Sequence, residues 1–504
     1  MPEMFCRPST MRRSPAAALS LSLAPADWEM AALAALVAAS LAVYSLGGTA
    51  VLILLGPLSL AAILGTANVQ LARRSAAAIW TPLFAFRMAA LVYFGLGGFL
   101  PRLFDEATMD YALVLYGYTP AEEAKVLLIW IIGTASVLGG ARIFSEFMDH
   151  IAVTTALTRD STSDTTLSMG LVFFAIGFGF YLVVFLPNIL GIFTVLVPGS
   201  FLSLMDVVTS GGTFLIALWA FEQGGRGYFV VALLSFATAL LGLIALTKAM
   251  VVLPELLICL AFLMRGVTLR RITVVSVIML GSFAILQPLV AYGRDMHTQI
   301  YGDLNGGSVD ERFEYIGAWL RGEDDRGRQT SGETVNPLSR LTYQNVATYV
   351  VSRYDTNQPS DSISTSLVAV VPRIIWPNKP LTTAMNEDLF YELTGQVGSA
   401  VSTTVPIDCY WNFGWPGVVV LSFLMGLPLM LASRRCYRIV AERDWLMMPF
   451  VLLCFRVSVA VDSQFVSAVF SPGVMAVVLY FALLVLRKLL PARMTGRVAL
   501  SIRN

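Results

Sequence analysis

Two short runs gather the residues best equipped for chemistry: Val-Pro-Arg-Ile-Ile-Trp-Pro-Asn-Lys-Pro at 371–380 and Asp-Cys-Tyr-Trp-Asn-Phe-Gly-Trp-Pro-Gly at 408–417. Arg373 offers a planar fork that matches phosphate oxygens, and Lys379 a compact charge. In a poorly hydrated site one such donor can be worth about 3 kcal/mol. The competing account pairs Arg373 with a carboxylate and lets Lys379 snorkel. Taken alone, the two accounts weigh equally. Trp376 and Trp411 could stack on sugars, as could Trp319 and Trp415, although interfacial belting places tryptophan at the same depth. Where a sugar hydroxyl must lose its proton, Asp408 is the first carboxylate to consider and His297 the second group. A diphosphate leaves readily, so a transferase that uses one can dispense with the acid a glycosidase needs.

The frame that must hold these residues is a membrane protein. Of 504 residues 57% are hydrophobic and 13% charged, against roughly 25% charged in soluble chains, and the mean hydropathy is +0.72. At about 20 apolar residues per crossing, the sequence predicts about twelve spans, at 30–46, 49–67, 76–100, 125–143, 167–189, 200–221, 228–246, 249–265, 272–292, 414–432, 446–462 and 464–487. The expected fold class is therefore all-α and polytopic. Arginine dominates one set of connections (Arg73, Arg74, Arg142, Arg226, Arg270, Arg271, Arg434, Arg435, Arg438), while the short loops opposite carry Arg102, Lys125 and Lys248. The positive-inside rule then puts both termini in the cytoplasm and the segment 293–413 outside, in the periplasm if the cell has one. This gives a tail over 1–28, spans one to nine over 29–292, the extracytoplasmic segment, spans ten to twelve over 414–487, and a tail over 488–504. Met11-Arg-Arg-Ser-Pro-Ala-Ala-Ala-Leu has too short an apolar run for a signal peptide and is read as tail.

Inside the outer segment, 295–325 is acidic and 326–380 basic. Leu338, Leu341, Val346, Tyr349 and Val350 recur at helical spacing and predict an amphipathic helix. Thr365–Trp376 is apolar but too short to span and is broken by Pro372 and Pro377, so it should lie in the interface or re-enter the protein, bringing Arg373 and Lys379 to headgroup level. Lys248 sits at a tight outer turn, where snorkelling is the slightly better account. Arg87, mid-span, must find company, for which Glu255 and Arg456 are candidates. Five scattered cysteines and two histidines on opposite faces supply neither a disulfide nor a zinc site. No Gly-x-Gly-x-x-Gly or Walker-type run exists, so neither a nucleotide nor a nucleic acid is an expected partner.

The arrangement resembles the bacterial oligosaccharide repeat-unit polymerases, the Wzy-type O-antigen and exopolysaccharide polymerases. The likeness covers most of the chain. It lies in the many spans, the lysine turn at Thr247-Lys248, the arginine leaving span nine in Tyr292-Gly-Arg294, Pro372-Arg373 with Trp376-Pro-x-Lys379-Pro, and Asn412-Phe-Gly-x-x-Gly417. That family commonly carries a glutamate four residues before the asparagine; here the position is Asp408, a shorter acid. The resemblance implies a GT-C-like helical fold, no metal or other cofactor, and transfer of a growing glycan from polyprenyl diphosphate to a new lipid-linked repeat unit. It assigns the diphosphates to Arg373, Lys379, Arg294 and Arg340, with Lys248 guiding them, and brings polyprenyl tails in sideways between helices. A chain-length regulator and a flippase would be partners. Dolichyl-type transferases place an acid in the first outer loop, which here is Gly47-Gly48. An O-antigen ligase, for which His297 speaks, and a lipid-linked oligosaccharide flippase stand as alternatives. Sparse intramembrane charge and the long outer segment count against the flippase.

Overall fold

Runs of Leu, Val, Ala and Ile this long leave the backbone one local way to satisfy its polar groups away from water, the α-helix. The structure is a computed structural model and describes residues 22–100, 103, 118–149, 163–193, 197, 199–301, 306–322, 341–366, 384–395, 401–465, 469 and 471–489. Among these the regular elements are all helical. They are α1 (Asp27–Ser45), α2 (Thr49–Arg74), α3 (Pro82–Phe99), α4 (Pro120–Asp149), α5 (Thr165–Ile189), α6 (Gly199–Gln223), α7 (Arg226–Ile244), α8 (Lys248–Leu263) and α9 (Leu269–Tyr301). Four shorter helices follow: α10 (Val309–Leu320), α11 (Gln344–Asp355), α12 (Ser362–Ser366) and α13 (Ala384–Thr394). The chain then forms α14 (Val405–Ala441), α15 (Met448–Val459) and α16 (Ser471–Leu489).

Among the described residues ten helices are long and apolar enough to cross a membrane: α1 to α7, α9, α14 and α16. The protein is a multi-pass helical membrane protein. The remaining two expected spans, 249–265 and 446–462, are shorter apolar helices over Met250–Leu263 and Trp445–Val459. The first is cut off by the turn at Arg265-Gly266. The second is entered through a tight 3-10 turn, Trp445–Met447. The long segment between spans is also narrower than the hydropathy suggests. Helix α9 runs on to Tyr301 and α14 begins at Val405, because polar helix turns extend beyond the apolar stretch at both ends. The side of the bundle on which residues 302–404 emerge is called the loop face below.

The tightest pairing is α4 against α14. A Cβ on Gly140 would lie 2.0 Å from the Phe423 carbonyl oxygen, and one on Gly426 2.3 Å from the Ala141 nitrogen. Lipid offers helices no hydrophobic drive to associate, so backbone contact through small residues supplies it. Around this pair the core gathers Trp80, Phe94, Trp130 and Phe214, with Phe94 and Trp130 stacked at 5.2 Å. Arg87 is buried here, and its company is Glu29 in the first turn of α1, neither Glu255 nor Arg456. Nε reaches Oε1 at 2.7 Å and Nη2 reaches Oε2 at 2.9 Å. By sequence Glu29 sits at the margin of the tail, which concealed it. Arg456 instead meets Asp206 of α6 at 2.5 Å, joining α15 to the neighbouring helices. On the face opposite the loop, Arg142 pairs with Asp27 at 2.8 Å and Arg443 with Glu222 at 3.3 Å.

Candidate functional site at the loop face

Helix α11 carries the amphipathic pattern predicted for 338–350, and the bundle uses it. Val346, Ala347, Val350 and Val351 are buried, while Leu338 lies outside the described residues. The approach to the helix passes so close over α3 that a Cβ on Gly97 would sit 2.0 Å from the Leu341 carbonyl oxygen. One residue along, Gln344 Nε2 donates to the Gly98 carbonyl at 2.7 Å. At the far end Asp355 takes Lys125 Nζ of α4 at 2.5 Å and Tyr410 Oη of α14 at 2.8 Å. The Lys125 ammonium also lies 5.1 Å from the Tyr410 ring centre. Arg353 pairs with Glu392 of α13, and Tyr349 donates to the same carboxylate at 3.2 Å. Described parts of the segment are thus fastened to α3, α4 and α14.

Asp408 is fully buried, in the first turn of α14. Its Oδ1 accepts from Ser362 Oγ at 2.9 Å and Asn412 Nδ2 at 3.3 Å, and its Oδ2 from the Phe465 backbone N–H at 2.9 Å. Asn412 lies one turn on, so both side chains share a helix face. Its Nδ2 donates to Ser362 Oγ at 2.7 Å, and its Oδ1 accepts from Ile363 N at 3.1 Å. Together the two residues tie α12, α14 and the chain after α15 into one knot. Trp411 is also buried, donating from Nε1 to the Gln358 carbonyl at 3.1 Å. Its indole closes the inside of this junction and presents no open stacking face. Gly414 breaks the helix at φ +62°, where a Cβ would meet Tyr354 Oη at 2.6 Å.

His297 belongs to a second group, built on α7, α9 and α10. It is buried, and its Nε2 faces Arg312 Nη2 at 3.2 Å. A guanidinium can only donate, so Nε2 is the acceptor in this contact. Arg312 also donates to the carbonyls of Ile244 at 2.9 Å and Gly306 at 2.8 Å. Burial lowers its pKa from the usual arginine value. Arg294 is half-buried one turn before His297, and Gly293 abuts Leu246 beside the turn into α8. Lys248 opens α8 at this turn; its side chain, like Arg340, Arg373, Trp376 and Lys379, lies outside what the structure describes. The expected site residues therefore fall into two clusters, Asp408 with Trp411 and Arg294 with His297.

A cavity of about 390 Å³ runs beside the first cluster, between α3, α14, α15 and α16. Its lining is mostly apolar: Arg435 stands at the end away from the loop face, and Ser458 turns its hydroxyl onto the Cys454 carbonyl at 2.7 Å. Leu431, Val477 and Phe481 line it and are also exposed on the flank of the bundle, so it opens sideways. Val405, Ala460 and Val461 bound its loop-face end. Asp462, the next residue, accepts from Tyr343 Oη at 3.0 Å, and Tyr93 stands close enough to act on its titration. Burial pushes its carboxyl pKa up, against the tyrosine hydrogen bonds, which pull it down.

The sequence held no signal for Asp462 or Lys125 as site-builders, since their partners Tyr343 and Asp355 lie 119 and 230 residues away in the chain; Arg312 meets the nearer His297 and Gly306 only through the fold of α9 onto α10. Tyr410 lies inside the 408–417 run, where the sequence does point. No described group of His, Cys, Asp and Glu is arranged to hold a metal ion. No curated protein and no solved structure matches the chain. A match to one family runs over residues 159–442, more than half of the chain, from α5 to the end of α14. The protein belongs to that family, described as a domain of unknown function, DUF8712.

Proposed function

We propose that this protein is a membrane glycosyltransferase that polymerises oligosaccharide repeat units carried on polyprenyl diphosphate. The observation that carries the reading is the apolar cavity between α14, α15 and α16, which opens to the side and ends at a polar cluster on the loop face. An isoprenoid tail lacks hydrogen-bonding groups and needs such a dry channel. Its diphosphate would then stand at the loop face, where Arg373, Lys379, Arg294 and Arg340 are proposed to hold it, with Lys248 guiding its approach. The docking of α11 against α3, α4 and α14 supports this reading, because a segment fastened to the bundle can position groups that a loose one cannot.

In the reaction, the hydroxyl of the incoming unit attacks the anomeric carbon of the growing glycan. The bond from that carbon to the diphosphate oxygen breaks, and the electron pair leaves with the diphosphate. The donor's own leaving group drives the transfer, so no nucleotide is consumed. Asp408, with its oxygens occupied by Ser362, Asn412 and Phe465, fits the part of organiser better than that of proton acceptor. The ligase reading leant on His297, whose Nε2 is engaged by Arg312. Purified protein in nanodiscs, given a lipid-linked repeat unit and no nucleotide sugar, should build a glycan ladder. Arg373→Ala should lower that activity by about a hundredfold, as removal of an electrostatic donor does elsewhere. A ladder of unchanged rate in this variant would falsify the assignment of Arg373.

A further inference from the structure

We infer that Asp462 accepts the proton of the attacking sugar hydroxyl, an assignment that rests on the glycosyl transfer proposed above. Asp462 follows directly on Ala460 and Val461, which line the loop-face end of the cavity. Val405, at the same end, donates its backbone N–H to the Val461 carbonyl at 3.0 Å. The Asp462 carboxylate is thus placed where a tail lying in the cavity would deliver its headgroup. It is partly exposed, whereas Asp408 is sealed.

Two elements set its position. Tyr343 comes from the approach to α11, and Tyr93 from a π-helical turn, Leu91–Leu96, inside α3. Such turns add one residue to a helix and recur at functional sites. The two rings meet edge to face at 5.7 Å. A carboxylate offers about four lone-pair sites, so the Tyr343 hydroxyl on Oδ2 leaves room for a sugar hydroxyl. Among the described residues these tyrosines are the titratable groups that act on Asp462. The buried Asp408 is linked to the same connection through Phe465 N.

In the step itself, the acceptor oxygen bonds to the anomeric carbon and its proton passes to the Asp462 carboxylate. The carbon–oxygen bond to the diphosphate breaks, and that pair of electrons stays on the diphosphate. Nothing is oxidised or reduced. A carboxyl raised by burial is a better proton acceptor than a solvated one, because its pKa lies nearer the working pH.

The test compares wild type, Asp462→Asn, Asp462→Glu and Tyr343→Phe in nanodiscs containing a lipid-linked repeat unit, with ladder formation followed from pH 4 to 8. Asp462→Asn should slow the ladder by about a hundredfold or more while retaining bound donor lipid, and Asp462→Glu should recover part of the rate. Wild-type activity should fall on the acid side as the carboxylate is protonated. In Tyr343→Phe that acid limb should move to higher pH, because a hydrogen bond that lowers the Asp462 pKa is gone. A ladder in Asp462→Asn within a few-fold of wild type overturns the inference and leaves the proposed function standing. Should Asp462→Asn fail to fold, an acid limb unmoved in Tyr343→Phe overturns it instead. No ladder from wild type removes the proposed function, and this inference with it.

Discussion

At the scale of single residues, the buried polar groups are the most exacting feature. Glu29 and Arg87 form a two-pronged ion pair that is almost completely buried. Glu29→Gln should strand the guanidinium and lower stability by about 3–5 kcal/mol, read as an earlier thermal unfolding transition in detergent. Replacing both residues with apolar ones of similar volume should recover most of the loss. Equal melting of Glu29→Gln and wild type would show that Arg87 has another partner. Asp408 is a different case, since it only accepts. Asparagine there turns one acceptor into a donor facing Ser362 Oγ or the Phe465 N–H. The expected loss is about 1–3 kcal/mol, together with earlier proteolytic nicking within 302–404. Unaltered protease resistance would argue against Asp408 as the knot of this junction. The motif around Asn412 marked the place in the sequence, but the partners Ser362 and Phe465 were illegible. Hydrogen bonds across 46 or 57 residues of chain leave no trace in local spacing.

At the scale of elements, periodicity was legible and termination was not. Each of the twelve predicted spans has a helix in its place, because long apolar runs admit little else. Hydropathy falls at 292 and 414, whereas the backbone stays helical through Arg294 and His297 and is already helical at Asp408. Gly414, where the apolar run of span ten begins, is the kink inside α14. The α11 pattern shows the same mixture. Its apolar face was visible in Val346 and Val350, but its docking depends on the bare backbone of Gly97, which one glycine among 39 cannot announce. Gly97→Val should push the Leu341 carbonyl away and undock α11. Hydrogen exchange over 344–355 should rise sharply while the transmembrane helices keep their protection. Unchanged exchange there would mean that the approach over α3 is not what seats the helix.

For the molecule as a whole, the cavity is the feature on which the proposed function leans most. It could not be foreseen, because voids depend on how α3, α14, α15 and α16 lean against each other and not on any one of their sequences. Filling it gives a direct test. Ala432→Phe adds a ring to the cavity wall, and co-purifying isoprenoid lipid, measured by native mass spectrometry, should fall several-fold. The ladder activity should fall with it. Because the side chain enters existing space, the melting temperature should hold or rise. Full lipid retention in this variant would place the tail elsewhere.

If the cavity binds the proposed lipid carrier, its mouth on the flank of the bundle has a thermodynamic consequence. Its ligand reaches it by lateral diffusion within the leaflet and never through water. Occupancy is then governed by the mole fraction of carrier among surrounding lipids, not by its bulk molarity. Added micelles slow such a protein by surface dilution even when every solute concentration is held constant.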